Sequence, residues 1–308
     1  MRKLAVLLLF ASALTSFAIA QDKKFLGRWD LTVTGDKEYP SWLELSEKDG
    51  KLTAQFTGRW GNARPLPKAE MKDGTLTFVS PKEEEDATAD MVYEGTLKGD
   101  MLSGTVNAPK GGQWTWIAKR APKLDAQKNP KWGKPIDLFN GKDLTGWTMS
   151  DPKATNPWKV IDGALTSPEH GPEIISNQKF KDFKIHVEFN IHGTANSGVY
   201  LRGRYEAQIE TDSANEGPEH HTGSIYGFLV GDPKPPRQSD VWQTYDITLL
   251  GRWVTVVLNG KTIIDHKEIP GLTGGALDSN EADPGPIYLQ GSEVGHVAYR
   301  KVTVTPAE

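Results

Sequence analysis

The chain has 308 residues, 36 basic and 40 acidic side chains and a formal charge of −4, a balance that argues against nucleic acid as a partner. It has no cysteine, which excludes disulfides, thiolate metal sites, a cysteine nucleophile and the acylated cysteine of a lipoprotein, and leaves folding to hydrophobic cores. Ten Trp, 31 Gly and 20 Pro spread through short strand-like runs predict an all-β protein long enough for two cores.

The opening MRKLAVLLLFASALTSFAIAQ combines Arg2 and Lys3, an apolar run from Leu4 to Leu14, and Ala18 and Ala20 before Gln21. This pattern predicts a signal peptide over residues 1–20. Its loss removes two bases and no acid, making the mature chain still more acidic. No later run reaches the length of a transmembrane helix, so the expectation is an exported, soluble protein of the bacterial periplasm or exterior.

Residues 24–120 carry the strand candidates RWDLTV, SWLELSE, KLTAQFTG, TLTFVS, MVYEGTL, LSGTV and QWTWIAKR, separated by turns such as Lys48-Asp49-Gly50 and Lys72-Asp73-Gly74. They predict a β-barrel meander. Gly27-Arg28-Trp29 and the late Lys119-Arg120 resemble the lipocalin-like pattern in which a first-strand tryptophan packs beneath an arginine. Arg59, Trp60, Asn62 and Arg64 in GRWGNARP are candidate contacts at the barrel rim, or ordinary surface-loop residues. The Pro- and Lys-rich segment 121–134 reads as a linker.

Residues 135–306 offer eleven further short strands and the turn signal Asn259-Gly260, which predict a two-sheet jelly-roll sandwich. In DFKIHVEFNI, Phe183, Ile185, Val187, Phe189 and Ile191 share one face, leaving His186 on a solvated one. NSGVYLRGRYEAQIETD reads as a hairpin around Gly203-Arg204-Tyr205, with Arg202 opposite Glu206 and Tyr200 opposite Gln208. Val199, Leu201, Ala207 and Ile209 share its apolar face, while Tyr200, Arg202, Glu206, Gln208 and Glu210 share the other. That second face is either a solvated strip of cross-strand pairs or a site, with Asn196 and Asp212 extending it. The acids Asp278, Glu281 and Asp283 read as a solvated loop rather than a calcium site.

LFNGKDLTGW, WKVIDGAL, ANSGVYLRGRYEAQIETD, TGSIYG, VVLNGKTIID and GPIYLQG occur in one order between Leu138 and Gly291. Together they resemble the 3-keto-disaccharide hydrolase family, also called 3-keto-glucoside lyase/3-keto-2-hydroxyglucal hydratase. The resemblance implies a concanavalin-like jelly roll acting on glycosides already oxidised at carbon 3, and hence an upstream sugar 3-dehydrogenase. The ketone acidifies the carbon 2 hydrogen, a base removes it, the enolate expels the carbon 1 substituent, and water then adds. Such a site needs a base, a donor or cation for the enolate, and an acid.

On that reading Glu206, Arg202 and His221 are the catalytic candidates, with Asn196, Tyr200, Gln208, Asp212 and Tyr226 holding the sugar. A divalent metal ion, with Glu206, His220 and His221 as candidate ligands, is the one cofactor considered. The same residues suit a non-catalytic, lectin-like surface, or a surface-assembly module. Ordinary two-carboxylate glycosidase action fits less well, because Glu206 and Glu210 on one strand face stand roughly 13 Å apart.

Overall fold

The structure is a computed structural model that describes residues 23–211, 217–236, 238–292 and 294–308; the expected signal peptide and Asp212 lie outside the described residues. The chain divides into two compact units, Met1–Trp60 with Arg64–Ala121, and Gly61–Ala63 with Pro122–Glu308. Among the described residues no helix is long and apolar enough to cross a membrane.

Unit 1 is one antiparallel sheet of nine strands: β1 (Gly27–Thr34), β2 (Glu38–Lys48), β3 (Lys51–Thr57), β4 (Arg64–Pro65), β5 (Lys68–Lys72), β6 (Thr75–Ser80), β7 (Met91–Lys98), β8 (Met101–Asn107) and β9 (Gln113–Arg120). Their order is β4-β3-β2-β1-β9-β8-β7-β6-β5, and the sheet curls so that β5 comes alongside β3. Alternation puts Trp29, Leu31 and Val33 of β1, Leu43 and Leu45 of β2, Phe78 of β6 and Trp116 of β9 inside, as period-two strands dictate. The weakly apolar KAEMK of β5 and the dipeptide β4 give no such signal and are absent from the strands expected.

One end is plugged. The Arg120 guanidinium lies 3.8 Å over the Trp29 ring and donates to the carbonyls of Leu26, at 2.5 Å, and Lys24. The Trp29 indole in turn donates to the Phe25 carbonyl at 2.9 Å. A cation over an indole and charge-assisted bonds to carbonyls each stabilise.

Unit 2 is a sandwich, as the strand pattern predicts. Its larger sheet contains β10 (Ile136–Asp137), β12 (Lys159–Ile161), β13 (Ala164–Ser167), β15 (Phe183–His192), β18 (Trp242–Leu250), β19 (Trp253–Leu258), β20 (Lys261–Glu268) and β22 (His296–Pro306). The order is β12-β13-β22-β15-β18-β19-β20, with β10 on β22. The smaller sheet contains β11 (Trp147–Met149), β14 (Ile174–Phe180), β16 (Asn196–Leu201), β17 (Tyr205–Glu210) and β21 (Gly285–Leu289), ordered β11-β14-β21-β16-β17. Phe183, Val187 and Phe189 from the first sheet meet Val199, Ala207, Ile209 and Leu289 from the second in one core.

LFNGKDLTGW closes as a turn. The Asn140 side chain accepts from the Lys142 and Asp143 amides and donates to the Asp143 carboxylate, whose hydrogen bonds, from Thr145 first, hold its acid down to about 2. The segment read as a linker runs along unit 2: Gly133 donates to the Pro306 carbonyl at 2.9 Å, and Trp132 bridges Ala307. Arg120→Ala is expected to destabilise the unfolding transition of unit 1 by about 2–3 kcal/mol, leaving that of unit 2 in place, measured by denaturant titration.

Candidate active site

The smaller sheet presents one face to the core and one outward, and the β16–β17 hairpin supplies most of the outward polar groups. Its register pairs Tyr200 with Glu206, Gly198 with Gln208 and Asn196 with Glu210. The turn is therefore Arg202-Gly203-Arg204, two residues away in pairing from the expected Arg202–Glu206 register. Because the slip is even, face assignments along both strands survive.

The turn sits there because Tyr205 is a core residue, its ring buried and its hydroxyl donating to Glu281 at 2.6 Å. Arg202 and Gly203 take φ of 56° and 68°, and at this break the alternation that would have put Arg202 beside Glu206 ends. Arg202 instead donates to the Tyr205 hydroxyl at 3.1 Å and to the Gly251 carbonyl at 2.7 Å, fully buried. Its expected place beside Glu206 is thus corrected: Arg202 belongs to the Tyr205 side of the hairpin.

The polar strip itself is buried rather than solvated. Tyr200, Glu206 and Gln208 are 2%, 3% and 2% exposed. The Glu206 carboxylate lies over Gly198, where a Cβ would stand 2.1 Å from Oε1; only glycine leaves room. Tyr200 stacks on Tyr288 with ring centres 4.2 Å apart and donates to the Gly274 carbonyl at 2.9 Å. Burial first, then the Glu206 charge, push its hydroxyl well above the usual tyrosine range, so it stays protonated. The Gln208 amide nitrogen lies 3.4 Å from both Asn196 Oδ1 and Glu210 Oε2.

Two loops cover this face. Residues 222–226 run along the outer edge of β17: Gln208 exchanges backbone bonds with Gly223 and Ser224, each at 3.0 Å, and the Tyr226 amide donates to Glu206 at 3.0 Å. Thr222 caps the far end, its hydroxyl accepting from the Glu210 amide at 2.8 Å. From the other side, Thr273 accepts from the Glu206 amide at 3.1 Å. His221 is buried, while Asn196, His220 and Tyr226 are half-buried, and His220 meets Tyr226 edge-on at 4.8 Å.

The structure thus gathers Tyr200, Glu206, Gln208 and Glu210, with Asn196 and Tyr226 at the margins. Among the described residues no three His, Asp or Glu side chains gather to hold a metal ion, so Glu206, His220 and His221 form no such ligand set. Gly198 and Tyr288 belong to the site and were not singled out from the sequence, although SGVYL and GPIYLQG contain them.

Of the acidic loop expected to be solvated, Asp283 is exposed, whereas Glu281 and Asp278 are pinned. Glu281, 1% exposed, accepts from Arg252 Nε at 3.0 Å and Nη2 at 2.6 Å as well as from Tyr205. Asp278 pairs with Arg204 at 2.8 Å. These contacts hold the hairpin turn from the side opposite Glu206.

Residues 134–305 match the family described as the 3-keto-alpha-glucoside-1,2-lyase-like domain. The chain belongs to this family. Membership makes the matched region, here called the lyase-like domain, glycosyl hydrolase-like and carbohydrate-active. Two solved structures of candidate glycosyl hydrolases from Parabacteroides distasonis ATCC 8503 are similar, at 20% and 28% identity. They cover 56% and 59% of this chain and 94% and 90% of theirs, each with a TM-score of 0.49. Porphyranase B from Zobellia galactanivorans is similar at 13% identity, covering 61% of this chain and 98% of its own, with a TM-score of 0.37. No curated protein matches.

Within the lyase-like domain the Arg252–Glu281 pair is buried, so removing one partner alone is costly. Glu281→Ala strands a buried guanidinium and is expected to cost about 3–5 kcal/mol, read as a lowered denaturant midpoint for unit 2.

Proposed function

We propose that the lyase-like domain cleaves 3-keto-glycosides by elimination and hydration, with Glu206 as the base. The observation that carries this reading is the single carboxylate seated over Gly198, next to a tyrosine hydroxyl held protonated, on a sheet face closed to bulk water. A base needs proximity to the proton it takes and a partner that donates to the charge it creates.

In the first step Glu206 takes the hydrogen from carbon 2, and the electron pair moves into the ketone to give the enolate. The enolate re-forms the carbonyl at carbon 3, making a carbon 1–carbon 2 double bond as the carbon 1–oxygen bond breaks. The leaving oxygen takes a proton from an acid, for which His221 and Tyr226 are the candidates. Water then adds its oxygen to carbon 1 and its proton to carbon 2, so that the net change is hydrolysis. With Arg202 turned to the other side and the Tyr200 hydroxyl donating to the Gly274 carbonyl, stabilisation of the enolate falls to a neutral donor, the Gln208 amide. Asn196 suits a sugar hydroxyl at the margin.

Such a substrate must be supplied by a sugar 3-dehydrogenase, and the signal-like pattern of residues 1–20 supports the reading that the reaction takes place outside the cytoplasm. The test incubates the full mature chain with 3-keto-glycosides and their unoxidised parents. Cleavage confined to the keto sugars is expected, with a primary isotope effect from deuterium at carbon 2. Glu206→Gln should lower kcat roughly 10²–10⁴-fold, and Gly198→Ala, which displaces the carboxylate, should act in the same direction. Equal cleavage of the parents, or full activity of Glu206→Gln, would refute the proposal.

A further inference from the structure

Unit 1 contains a second candidate site, at the end of its barrel away from the Trp29–Arg120 plug. Phe56, Phe78, Tyr93 and Trp116 pack in the barrel interior, Phe78 stacking on Tyr93 with centres 4.5 Å apart. Above them lies a polar layer. Glu85 accepts from Arg64 and from the Ser80 hydroxyl, both at 2.6 Å, and Tyr93 is buried beneath it. Burial raises the Tyr39 hydroxyl to about 12 and lifts Glu85 above the usual carboxylate range, and these residues form the floor.

Over the floor opens a cup of about 340 Å³ bordered by Tyr39, Trp60 and Trp114 together with Asp36, Arg59 and Asp86. This is the low end of the size of small-ligand sites. Its aromatic wall is fixed: Gly35 lies against Trp114, where a Cβ would come within 2.3 Å of the ring, and Tyr39 meets Trp114 edge-on at 6.0 Å. Trp60 is 53% exposed, the most exposed large hydrophobic side chain among the described residues.

Arg59 is held by rings, its guanidinium 4.9 Å from the Trp60 centroid and 5.7 Å from that of Tyr39. Cation–π contacts of this kind position a guanidinium without occupying its in-plane N–H groups. Among the described residues neither Arg59, Asp36 nor Asp86 is committed to an ion pair, whereas Glu85 is committed to Arg64. The rim also carries Lys110, so two free cations face two free carboxylates and the cup selects neither anion nor cation.

What fits is a neutral ligand with apolar ring faces and a periphery of hydroxyl groups that both donate and accept. We infer that the cup at the mouth of the unit 1 barrel is a saccharide-binding site, with Trp60 as platform and Arg59, Asp36 and Asp86 bonding to hydroxyls. This site lies outside the lyase-like domain and does not depend on the chemistry proposed for it.

The test uses the full mature chain, with maltose and cellobiose as probes and the indole N–H resonances of Trp60 and Trp114 as local reporters. Both resonances should shift on titration. Trp60→Ala and Arg59→Ala should each weaken this binding at least about tenfold, while thermal midpoints and any turnover by the lyase-like domain stay at wild-type values. Unmoved resonances at millimolar sugar would overturn the inference. So would affinity unchanged in Trp60→Ala and Arg59→Ala, or sugar binding abolished by Glu206→Gln, which would place it in the other unit.

Discussion

The smaller sheet of the lyase-like domain depends on burying its outward, polar face. Tyr200, Glu206, Gln208 and Glu210 lose water there, and an unpaired polar group in such a place costs several kcal/mol. The offset comes from backbone as much as side chains: residues 222–226 add a near-strand to β17, Thr273 and Thr222 engage the amides of Glu206 and Glu210, and Gly274 accepts from Tyr200. A carboxylate in this setting interacts strongly with its few neighbours, because little solvent screens it. The absence of a side chain at Gly198 is then a steric condition for the whole arrangement.

The covering loop is itself held from the far side of the hairpin. Leu277 donates to the Gly203 carbonyl at 2.7 Å and Thr273 to that of Arg204 at 3.1 Å, while Asp278 and Glu281 grip Arg204 and Arg252. The loop that closes over Glu206 and the acids that follow it therefore share one anchor, the Arg202-Gly203-Arg204 turn. A buried ion pair of this kind is weak evidence for net stability, yet losing either partner alone leaves a buried charge uncompensated. In this domain that arrangement fixes where the cover over Glu206 begins.

Strand periodicity made much of this legible. Val199, Leu201, Ala207 and Ile209 share the core face read from alternation alone, and the packing of Trp29 beneath Arg120 is what the lipocalin-like resemblance at the two ends of unit 1 implied. The hairpin register did not follow, because alternation cannot distinguish registers that differ by two; the side chain that decides is Tyr205, whose hydroxyl requires Glu281 seventy-six residues on. The same long-range partner hid the fate of the acidic loop. Asp278 and Glu281 look solvated by composition, and only the tertiary fold brings arginines to them. Arg202 was misplaced for a local reason, since a residue in a left-handed turn no longer obeys strand parity.

Removing Arg202 from the strip changes the electrostatics available to any reaction there. A guanidinium beside Glu206 would lower its basicity and pair with it, leaving less of either charge for substrate. Two groups beside it in the strip are neutral, a tyrosine kept protonated by burial and then by the Glu206 charge, and the amide of Gln208, which lies 3.4 Å from the Glu210 carboxylate. Fixed neutral dipoles in a water-poor site need no reorganisation when charge moves from the base to the substrate. In the proposed elimination, that transfer is the step that matters: as Glu206 takes up the proton its charge disappears, while burial, the larger cause, still keeps the Tyr200 hydroxyl protonated. The Tyr200 hydroxyl stays committed to the Gly274 carbonyl, so the enolate would draw on the Gln208 amide as the negative charge passes from Glu206 to the substrate.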